Sequence, residues 1–411
     1  MNNPGRVLLV ANNFPPVRGG SAVVYANLAT SAPQRIIVLA PRFGYTDGLP
    51  IIGWREHDRR APYRVIRLRL LRTTISDATP RGLRKLLFRG WDAAIRLRLA
   101  YVVLRAVLRD NVRAICVGEL LASSWIFHAF RWLPGVRMVA YVHGEEITTE
   151  DLYDRGHARA RRALAGCDEI IVVSEFTLAA VRSLVGTGPQ PRISLIRNGV
   201  DTRRFRPSAK SAELLALYQL EGCFVFVSVC RLLEKKGIDH TISAFTRVLR
   251  RHPASRYLIV GTGPYQDTLA ALAAAEGVAD RVVFAGQVSD DDLAEHYQLG
   301  DVFVMPNRRL ENGDTEGFGL VFLEANACGL PVIAGNDGGS TDAVQHGLNG
   351  LVVDGRSVDR IADAMLAMQE DPTLYARLRK GGLQVATEAG WEEKGRAFLR
   401  VCTGDGTEML A

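Results

Sequence analysis

The sequence of 411 residues lacks the features that mark membrane-spanning, metal-binding and fibrous proteins. Its six cysteines show no C-x-x-C spacing, so neither a zinc site nor a disulfide framework is expected. No apolar run approaches the roughly 18 residues of a membrane span, and no signal-peptide pattern precedes the first strand-like segment. The 39 glycines and 17 prolines are near the average share, which excludes collagen-like and low-complexity chains. We expect a cytoplasmic protein of two domains.

The signatures of several common enzyme classes are also missing. The chain contains neither G-x-x-x-x-G-K-[ST] nor H-E-x-x-H, which argues against a P-loop NTPase and a zinc protease. Gly261 and Gly263 resemble the start of a dinucleotide fingerprint, but Gln266 stands where its third glycine belongs. A nicotinamide dehydrogenase is therefore only a remote alternative.

Charge is divided unevenly along the chain, whose formal net charge is +7. Between residues 55 and 109, 15 basic side chains face four acidic ones, and residues 81–110 interleave arginine with leucine, tryptophan and valine at helical spacing. Such a surface suits anionic lipid headgroups, although a solvated face over a core helix would show the same pattern. No zinc-finger spacing, RNP motif or basic zipper accompanies it, so we expect no nucleic-acid partner.

Short β-branched runs alternate with helix-period stretches along the whole chain, which is typical of parallel sheets covered on both faces. The predicted strands are residues 6–12, 35–41, 113–118, 138–144, 169–175 and 193–199 in the first half, and 224–231, 257–263, 282–288, 301–307, 331–335 and 350–354 in the second. We predict an α/β protein with two Rossmann-like domains facing a central cleft, which is the expected active site. The expected parts are an N-terminal domain (1–200), a linker (201–222), a C-terminal domain (223–385) and a helical segment (386–411) that crosses back to the first domain.

A glycine turn in the second half carries the strongest indication of a ligand site. The strand ending near Met305 is followed by a polar loop, the turn 317–319 (Gly-Phe-Gly) and a helix-like run from Leu320. Such a turn binds anions, because free backbone N–H groups and the positive end of the helix dipole point at the ligand. Glu316 and Glu324 bracket the turn, and carboxylates are good acceptors for paired sugar hydroxyls. The pattern predicts a bound phosphate between two hydroxyl-bearing groups.

Cations for this phosphate follow the first strand of the second half, in VSVCRLLEKKG (residues 227–237). Arg231 and Lys236 are the candidates, since a residue that leaves a strand end points toward the cleft. Lys235, by contrast, is expected to be surface charge at a helix start.

The first half offers further candidates at two predicted strand ends. The loop FPPVRGGS (residues 14–21) opens the helix after the first strand, and Gly19 and Gly20 allow its backbone to approach a phosphate or an acceptor. His143 ends another strand and can donate a hydrogen bond to a sugar hydroxyl or a phosphate. Glu145 and Glu146 are acid candidates of lower weight. A plain tight turn and a core histidine remain the alternative interpretations.

The segment EGFGLVFLEANACGLPVIAG (residues 316–335) resembles the E-x7-E region of the family 4 retaining glycosyltransferases, which have the GT-B fold. Further blocks resemble that family in the same order: RNGVDTRRFRP (197–207), VCRLLEKKG (229–237), YLIVGTGP (257–264), VSDDDLAEHY (288–297) and GGSTDAVQHGLNGLVVD (338–354). The resemblance covers residues 170–360 well, and the first 150 only through the glycine loop and His143. The segment around the turn looks most like bacterial mannosyltransferases and exopolysaccharide or lipid-glycan transferases.

This resemblance implies transfer of mannose or another hexose from a nucleotide diphosphate sugar, which serves as co-substrate. It also implies retention of the anomeric configuration and no need for a metal or any other cofactor. Glu324 would bind the donor ribose, and Glu316 the sugar hydroxyls near the reacting carbon. The implied catalytic residues are His143, Arg231, Lys236 and Glu316. The implied donor-binding residues are Gly19, Gly20, Arg231, Lys236, Gly263, Val288, Glu316, Gly317, Phe318, Gly319, Leu320 and Glu324.

The acceptor side carries fewer signals. Family members often have an acidic residue two places after the second glycine of the loop, where this chain has Ala22. From the basic segment we expect a lipid-linked or growing polysaccharide acceptor, reached by peripheral contact with an anionic membrane at its cytoplasmic face. A soluble small-molecule acceptor is the enzymatic alternative, and a non-catalytic binding scaffold with the same fold is a remote one.

Overall fold

The computed structural model describes residues 5–74, 82–149, 154–186 and 191–404, and the chain forms two compact units. The first unit comprises Met1–Val173, Thr177–Ile196 and Trp391–Ala411, and the second comprises Ser174–Phe176 and Arg197–Gly390. Residues 201–222, expected to be a linker, lie within the second unit and include a short helix, Ala212–Leu217. Of the segment expected at 386–411, residues 405–411 lie outside the described residues.

A parallel sheet forms the centre of the first unit. Its strands are β1 (Arg6–Val10), β2 (Ile36–Pro41), β3 (Arg64–Leu68), β4 (Val112–Val117), β5 (Arg137–Val142), β6 (Glu169–Val172) and β7 (Arg192–Leu195). They are ordered β3-β2-β1-β4-β5-β6-β7, with Leu8 of β1 beside Ile37 of β2 and Ile115 of β4. The central strands are buried on both faces, which explains their continuous apolar sequences.

Strand β3 is absent from the sequence prediction. Its sequence, RVIRL, carries two arginines and lies within the basic segment 55–109. In the structure the Arg67 side chain is only 3% exposed. Its guanidinium donates to both carboxylate oxygens of Asp58, at 2.8 and 3.0 Å, and to the carbonyl oxygens of Pro15 and Pro41, at 2.5 and 3.0 Å. Arg67 is therefore buried although it belongs to the basic segment, because Asp58, nine residues earlier, neutralises its charge.

Helices flank the strands of the first unit and return at the end of the chain. They are α1 (Gly20–Ser31), α2 (Trp54–Arg60), α3 (Leu83–Arg109), α4 (Leu120–Ser123), α5 (Trp125–Phe130), α6 (Glu145–Thr148), α7 (Ala158–Leu164), α8 (Glu175–Val185) and, at the C-terminus, α17 (Trp391–Thr403). Helix α17 packs against α1, β1 and β4, so the last helix belongs to the first unit, as predicted. The approach to α1 is close at Gly395, where a Cβ atom would lie 1.8 Å from Ser31 Oγ.

Helix α3 corresponds to the predicted basic amphipathic segment 81–110. The first residue of that segment, Arg81, lies outside the described residues. Its C-terminal half is anchored in the core by Leu99, Val103 and Ala106, which are buried. The described side chains of residues 85–98, by contrast, are all exposed or partly exposed. Among the described residues, no helix combines the length and the apolar character needed to cross a bilayer.

The second unit repeats the architecture with six parallel strands, all of them predicted. They are β8 (Val225–Val229), β9 (Arg256–Val260), β10 (Val282–Gly286), β11 (Val302–Met305), β12 (Val332–Gly335) and β13 (Gly350–Val353), in the order β10-β9-β8-β11-β12-β13. Its helices are α9 (Ala212–Leu217), α10 (Ile238–Arg251), α11 (Gln266–Ala275), α12 (Leu293–Gln298), α13 (Leu320–Ala327), α14 (Ser340–Ala343), α15 (Val358–Glu370) and α16 (Pro372–Glu388). The chain leaves β8 and β11 at neighbouring positions of the sheet, which brings the loops that follow them to one edge.

Candidate active site

The glycine turn of the second unit ends in the predicted helix. Gly319 has φ +88° and directly precedes Leu320, the first residue of α13. A Cβ atom on Gly319 would lie 2.5 Å from the Phe322 ring, so both the backbone angle and the available space require glycine here. The first amides of α13 have no partner within the helix, and its dipole is positive at this end. The turn 317–319 therefore has the backbone of an anion site.

Glu316 and Lys236 form an ion pair beside this turn. Lys236 closes the short 3₁₀ turn Glu234–Lys236 after β8, and its ammonium bonds the Glu316 carboxylate. The two side chains are only 14% and 15% exposed. Burial opposes the Glu316 charge, but the Lys236 charge and hydrogen bond, the charge of Lys235 and the Phe318 amide together hold the pKa of Glu316 below its ordinary value. Glu316 is therefore ionised and held in place before any ligand binds.

Glu324 lies further along α13, and Tyr297 of α12 holds it. The Tyr297 hydroxyl donates to Glu324 Oε2 at 2.7 Å, and both side chains are buried. Burial raises the pKa of Glu324, while the bond from Tyr297 and the charge of Arg204 act in the opposite direction. The tyrosine thus fixes one carboxylate oxygen and leaves the other as an acceptor. Tyr297 was not found from the sequence, because a helix pattern shows only that this position is buried.

Arg231, Gly263 and Val288 lie on three loops that follow β8, β9 and β10. Arg231 is exposed and forms no ion pair or hydrogen bond with any described residue. A Cβ atom on Gly263 would lie 2.2 Å from the Leu232 carbonyl oxygen, so this glycine lets its loop pack directly on the Arg231 loop. Val288 is partly exposed two residues beyond β10. The structure thus gives Gly263 a packing role that supports the position of Arg231.

The prediction for Lys235 is wrong, because this side chain is buried rather than a surface charge. Its ammonium bonds Asp314 Oδ1 at 2.6 Å and the Thr315 carbonyl oxygen at 3.3 Å. Lys235 therefore ties the polar loop before Glu316 to the loop that carries Lys236. The partner, Asp314, is 79 residues away in sequence, and local patterning does not reveal such a pair.

A partly buried carboxylate organises the glycine loop of the first unit. Glu119 follows β4 and accepts hydrogen bonds from the Asn12 amide (2.6 Å), the Asn13 amide (2.9 Å) and Asn12 Nδ2 (2.9 Å). Burial raises the pKa of Glu119, while these bonds favour its charged form. The chain then reaches Gly19 and enters α1 at Gly20, as predicted. Glu119 was not singled out from the sequence, because its partners lie more than 100 residues away.

His143 directly follows β5 in the first unit. Its Nε2 lies 2.8 Å from the hydroxyl of Tyr25 on α1, and burial lowers the pKa of His143 to about 4. The Glu146 carboxylate accepts from the backbone amides of His143 and Gly144, at 2.8 and 3.1 Å. Glu146 is thus engaged with the backbone beside His143. Of the predicted residues, the structure brings Lys236, Glu316 and the turn 317–319 together in the second unit, and Gly19, Gly20 and His143 belong to the first.

Comparison with known proteins agrees with this arrangement. Residues 18–204 match a family model described as "Glycosyltransferase Family 4", and residues 219–385 match one described as "Glycosyl transferases group 1". A GDP-mannose-dependent alpha-(1-6)-phosphatidylinositol monomannoside mannosyltransferase of Mycobacterium tuberculosis is 37% identical over 97% of this chain and 98% of its own length. The chain belongs to glycosyltransferase family 4.

Two further similarities extend the comparison. A D-inositol 3-phosphate glycosyltransferase of Acidothermus cellulolyticus is 34% identical over 69% of this chain and 64% of its own length. The structure of sucrose-phosphate synthase from Thermosynechococcus elongatus matches 96% of this chain and 97% of its own, with a TM-score of 0.74 and 22% identity. The predicted GT-B fold is confirmed, and so is the resemblance to bacterial mannosyltransferases.

Proposed function

We propose that this glycosyltransferase moves mannose from GDP-mannose to a phosphatidylinositol mannoside at a membrane surface, with retention and without a metal. The observation that carries the proposal is the Lys236–Glu316 ion pair at the start of α13, where a diphosphate and its sugar have complementary partners. The choice of donor and acceptor rests on the relative from Mycobacterium tuberculosis, whose name states both and which aligns along nearly the whole chain.

Each group of this site has a role in sugar transfer. Glu324 binds the ribose hydroxyls of the donor, and Glu316 binds hydroxyls of the mannose. Arg231, Lys236 and the amides at the start of α13 stabilise the charge that develops on the departing diphosphate. Two cations and a helix end perform the task for which other enzymes use a metal. The leaving phosphate accepts the proton of the acceptor hydroxyl on the same face of the sugar, so no protein nucleophile is needed.

A donor panel tests this proposal. The purified full-length chain is incubated with GDP-mannose, UDP-glucose and UDP-galactose, with and without EDTA, and with phosphatidylinositol mannoside in vesicles. We expect transfer from GDP-mannose, unchanged by EDTA, and NMR of the product should show the α configuration of the donor. Failure of every nucleotide sugar to bind would contradict the assignment, and a β-linked product would contradict retention.

The N-terminal half of α3 supports the membrane part of the proposal. Leu86, Leu87 and Trp91 are exposed to 66%, 66% and 48%. The guanidinium of Arg69 lies 5.9 Å from the centre of the Trp91 ring. Apolar side chains among cations suit the boundary between acyl chains and anionic headgroups, where each cation contributes about 1 kcal/mol. A solvated face, the alternative interpretation of the basic segment, does not require this row of apolar side chains.

Sedimentation with vesicles tests the membrane contact. We expect binding to phosphatidylcholine vesicles that contain phosphatidylinositol, weaker binding without the anionic lipid, and a loss of binding at high salt. Replacing Leu86, Leu87 and Phe88 by serine should reduce binding at least tenfold. Leu217→Ser is the matched control, because it removes an exposed leucine (67%) from the second unit. Indifference to both lipid charge and salt would refute the membrane contact.

A soluble acceptor is the second candidate. The relative from Acidothermus cellulolyticus is named for D-inositol 3-phosphate, although its alignment covers a smaller part of both chains. A competition between inositol 3-phosphate and phosphatidylinositol mannoside separates the two acceptors. Preferential transfer to the free inositol phosphate would favour this second candidate and leave the donor assignment intact.

A further inference from the structure

Lys236 and Glu316 belong to two loops that share no helix or strand. Lys236 closes the turn Glu234–Lys236 after β8, and Glu316 ends the loop that follows β11, 80 residues further along the chain. A Cβ atom on Gly237 would lie 2.1 Å from the Pro306 carbonyl oxygen, so the turn packs directly on the start of the loop 306–316. Holding two flexible side chains in contact costs conformational entropy, and this cost falls when the backbones that carry them are fixed. The contacts that fix the turn and the loop therefore bear on the site.

A buried ion pair joins the loop 306–316 to the helix that follows the turn. The Arg308 guanidinium donates to both carboxylate oxygens of Asp239, at 2.7 and 2.8 Å, and Asp239 lies in the first turn of α10. The two side chains are only 8% and 11% exposed. Burial opposes the Asp239 charge, but the hydrogen bonds and the charge of Arg308 hold the pKa of Asp239 below its ordinary value. A bidentate pair of this kind fixes orientation as well as distance.

This pair also collects contacts from the neighbouring loops. The Arg308 amide donates to the Lys235 carbonyl oxygen at 2.8 Å, which attaches the backbone of the loop to the turn. The hydroxyl of Tyr265 donates to Asp239 Oδ2 at 3.3 Å. Tyr265 belongs to the segment after β9 that also contains Gly263. The segments that follow β8, β9 and β11 therefore meet at one buried ion pair.

A second ion pair joins the turn and the loop with the opposite polarity. Here the turn supplies the cation, Lys235, and the loop supplies the carboxylate, Asp314, with 2.6 Å between Nζ and Oδ1. In the first pair the cation, Arg308, came from the loop. The loop 306–316 is thus attached to the residues around Lys236 near its start and again near its end. Two attachments leave Glu316 little freedom to move away from Lys236.

We propose that Arg308 and Asp239 are positioning residues for sugar transfer, whose ion pair holds the loop 306–316 so that Glu316 meets Lys236 in the geometry that the donor requires. A buried ion pair often adds little net stability, because desolvation offsets much of the attraction, but it selects one arrangement over others. Neither residue has to touch the donor for this role, because both act through Lys236 and Glu316. The effect on sugar transfer rests on the proposed function, but the position of the loop does not.

Hydrogen exchange of the full-length protein tests the position of the loop without any ligand. The Gly339 amide donates to the Glu316 carbonyl oxygen at 2.7 Å, so its exchange reports on the backbone of Glu316. The Phe303 amide donates to the Pro331 carbonyl oxygen at 3.0 Å inside the sheet and serves as the internal control. In Arg308→Met we expect exchange at Gly339 to become about tenfold faster or more, and exchange at Phe303 to stay within about threefold. Unchanged exchange at Gly339 would overturn the proposal, whatever the enzyme transfers.

A second substitution separates positioning from stability. In Arg308→Met the Asp239 carboxylate becomes an unpaired buried charge, so stability falls together with kcat. In Arg308→Met/Asp239→Leu two apolar side chains fill the space and no charge is left unpaired, so we expect stability to return. The kcat should nevertheless stay about tenfold to 100-fold below the wild-type value, because the bidentate contact that orients the loop is still missing. The affinity for GMP, which reaches Glu324 but has no second phosphate for Lys236, should stay within about threefold. Recovery of kcat together with stability would refute the positioning role.

Asp301→Asn is the matched control in the same unit. Asp301 forms an ion pair with Lys210 at 2.7 Å and directly precedes β11, at the end of the strand away from Arg308. This variant should lose stability and keep kcat within about twofold of the wild-type value. A kcat that falls as far in Asp301→Asn as in Arg308→Met would show that any lost ion pair has the same effect, and would refute the proposal. If the wild-type protein binds no nucleotide sugar, the proposed function fails, while exchange at Gly339 still decides the position of the loop.

Discussion

Replacing Lys236 by methionine should leave Glu316 as an unpaired charge in a site that is largely closed to water. The methionine keeps most of the side-chain volume and removes only the ammonium. Glu316 loses a hydrogen bond and the nearest positive charge. The side chains of Lys236 and Glu316 are only 14% and 15% exposed, so water replaces little of this interaction. Breaking a buried ion pair on one side costs about 3–5 kcal/mol. Lys235 and the Phe318 amide remain near Glu316, so we expect a loss of about 2–4 kcal/mol in the second unit.

The dependence of this loss on pH has a definite sign. In the wild-type protein the pKa of Glu316 lies below its ordinary value, so the stabilisation is complete above the unfolded pKa and disappears as the pH falls through the folded one. In Lys236→Met, burial becomes the dominant influence and raises the pKa of Glu316. The variant should therefore become more stable as the pH is lowered through that raised pKa, and the difference between the two proteins should shrink from pH 7.5 to pH 5.

The assay must report on the second unit alone. All five tryptophans lie in the first unit: Trp54, Trp91, Trp125, Trp132 and Trp391. Tryptophan fluorescence is therefore the internal control, while hydrogen exchange of the amides in β8 and β11 measures the opening free energy of the second unit.

A double variant separates the charge effect from the change of shape. In Lys236→Met/Glu316→Gln the carboxylate is gone, so we expect part of the stability to return and the dependence on pH to vanish. If the single variant is as stable as the double variant at pH 7.5, or if its loss is the same at both pH values, the reasoning is refuted.

Three further predictions concern residues with distinct partners. Arg231→Ala should lower kcat by about 100-fold or more with little effect on stability, because the side chain is exposed and forms no ion pair with a described residue; steady-state kinetics and thermal melting check both. Tyr297→Phe should weaken nucleoside diphosphate binding by less than about tenfold, since Glu324 stays in place and loses one hydrogen bond, as calorimetry would show. Glu119→Gln should lower the unfolding free energy of the first unit by about 1–3 kcal/mol, because a neutral amide replaces a carboxylate that accepts three bonds; an unchanged tryptophan-fluorescence transition would contradict this.

The strands of both sheets were predictable where their burial is complete. Runs such as RVLLV in β1 and VFVSV in β8 are apolar because helices and neighbouring strands exclude water from both faces. Strand β3 was missed because the charge of Arg67 is neutralised by Asp58 only in the folded chain. A sequence pattern counts charges and does not show which of them meet.

The candidate site of the second unit was likewise predictable only where the signal is local in sequence. The turn 317–319 and the start of α13 were predictable, because positive φ and close packing demand glycine at defined positions. Lys235 and Lys236 are neighbours, yet one bonds Asp314 in the supporting loop and the other bonds Glu316. In the sequence, only the direction of a strand end distinguishes Lys236 from Lys235, because the distant partners of both lysines meet them only in the folded chain. Tyr25 and Tyr297 were missed for the same reason.

The bonds already made in the second unit indicate how much must change when a donor binds. The contact of Lys236 with Glu316 uses one of three N–H groups, so the ammonium can keep its carboxylate and still donate to a diphosphate. Arg231 has no hydrogen bond or ion pair with a described residue that would have to break on binding. The Phe318 amide, by contrast, already supports the Glu316 carboxylate, so the implied contact of this amide with the donor would require Glu316 to move. The amides of Gly319 and Leu320 are the better candidates for the phosphate, because using them leaves the pair intact. Charges and dipoles that are in place before the diphosphate departs need no reorganisation during the reaction, and this is the condition under which they lower its barrier.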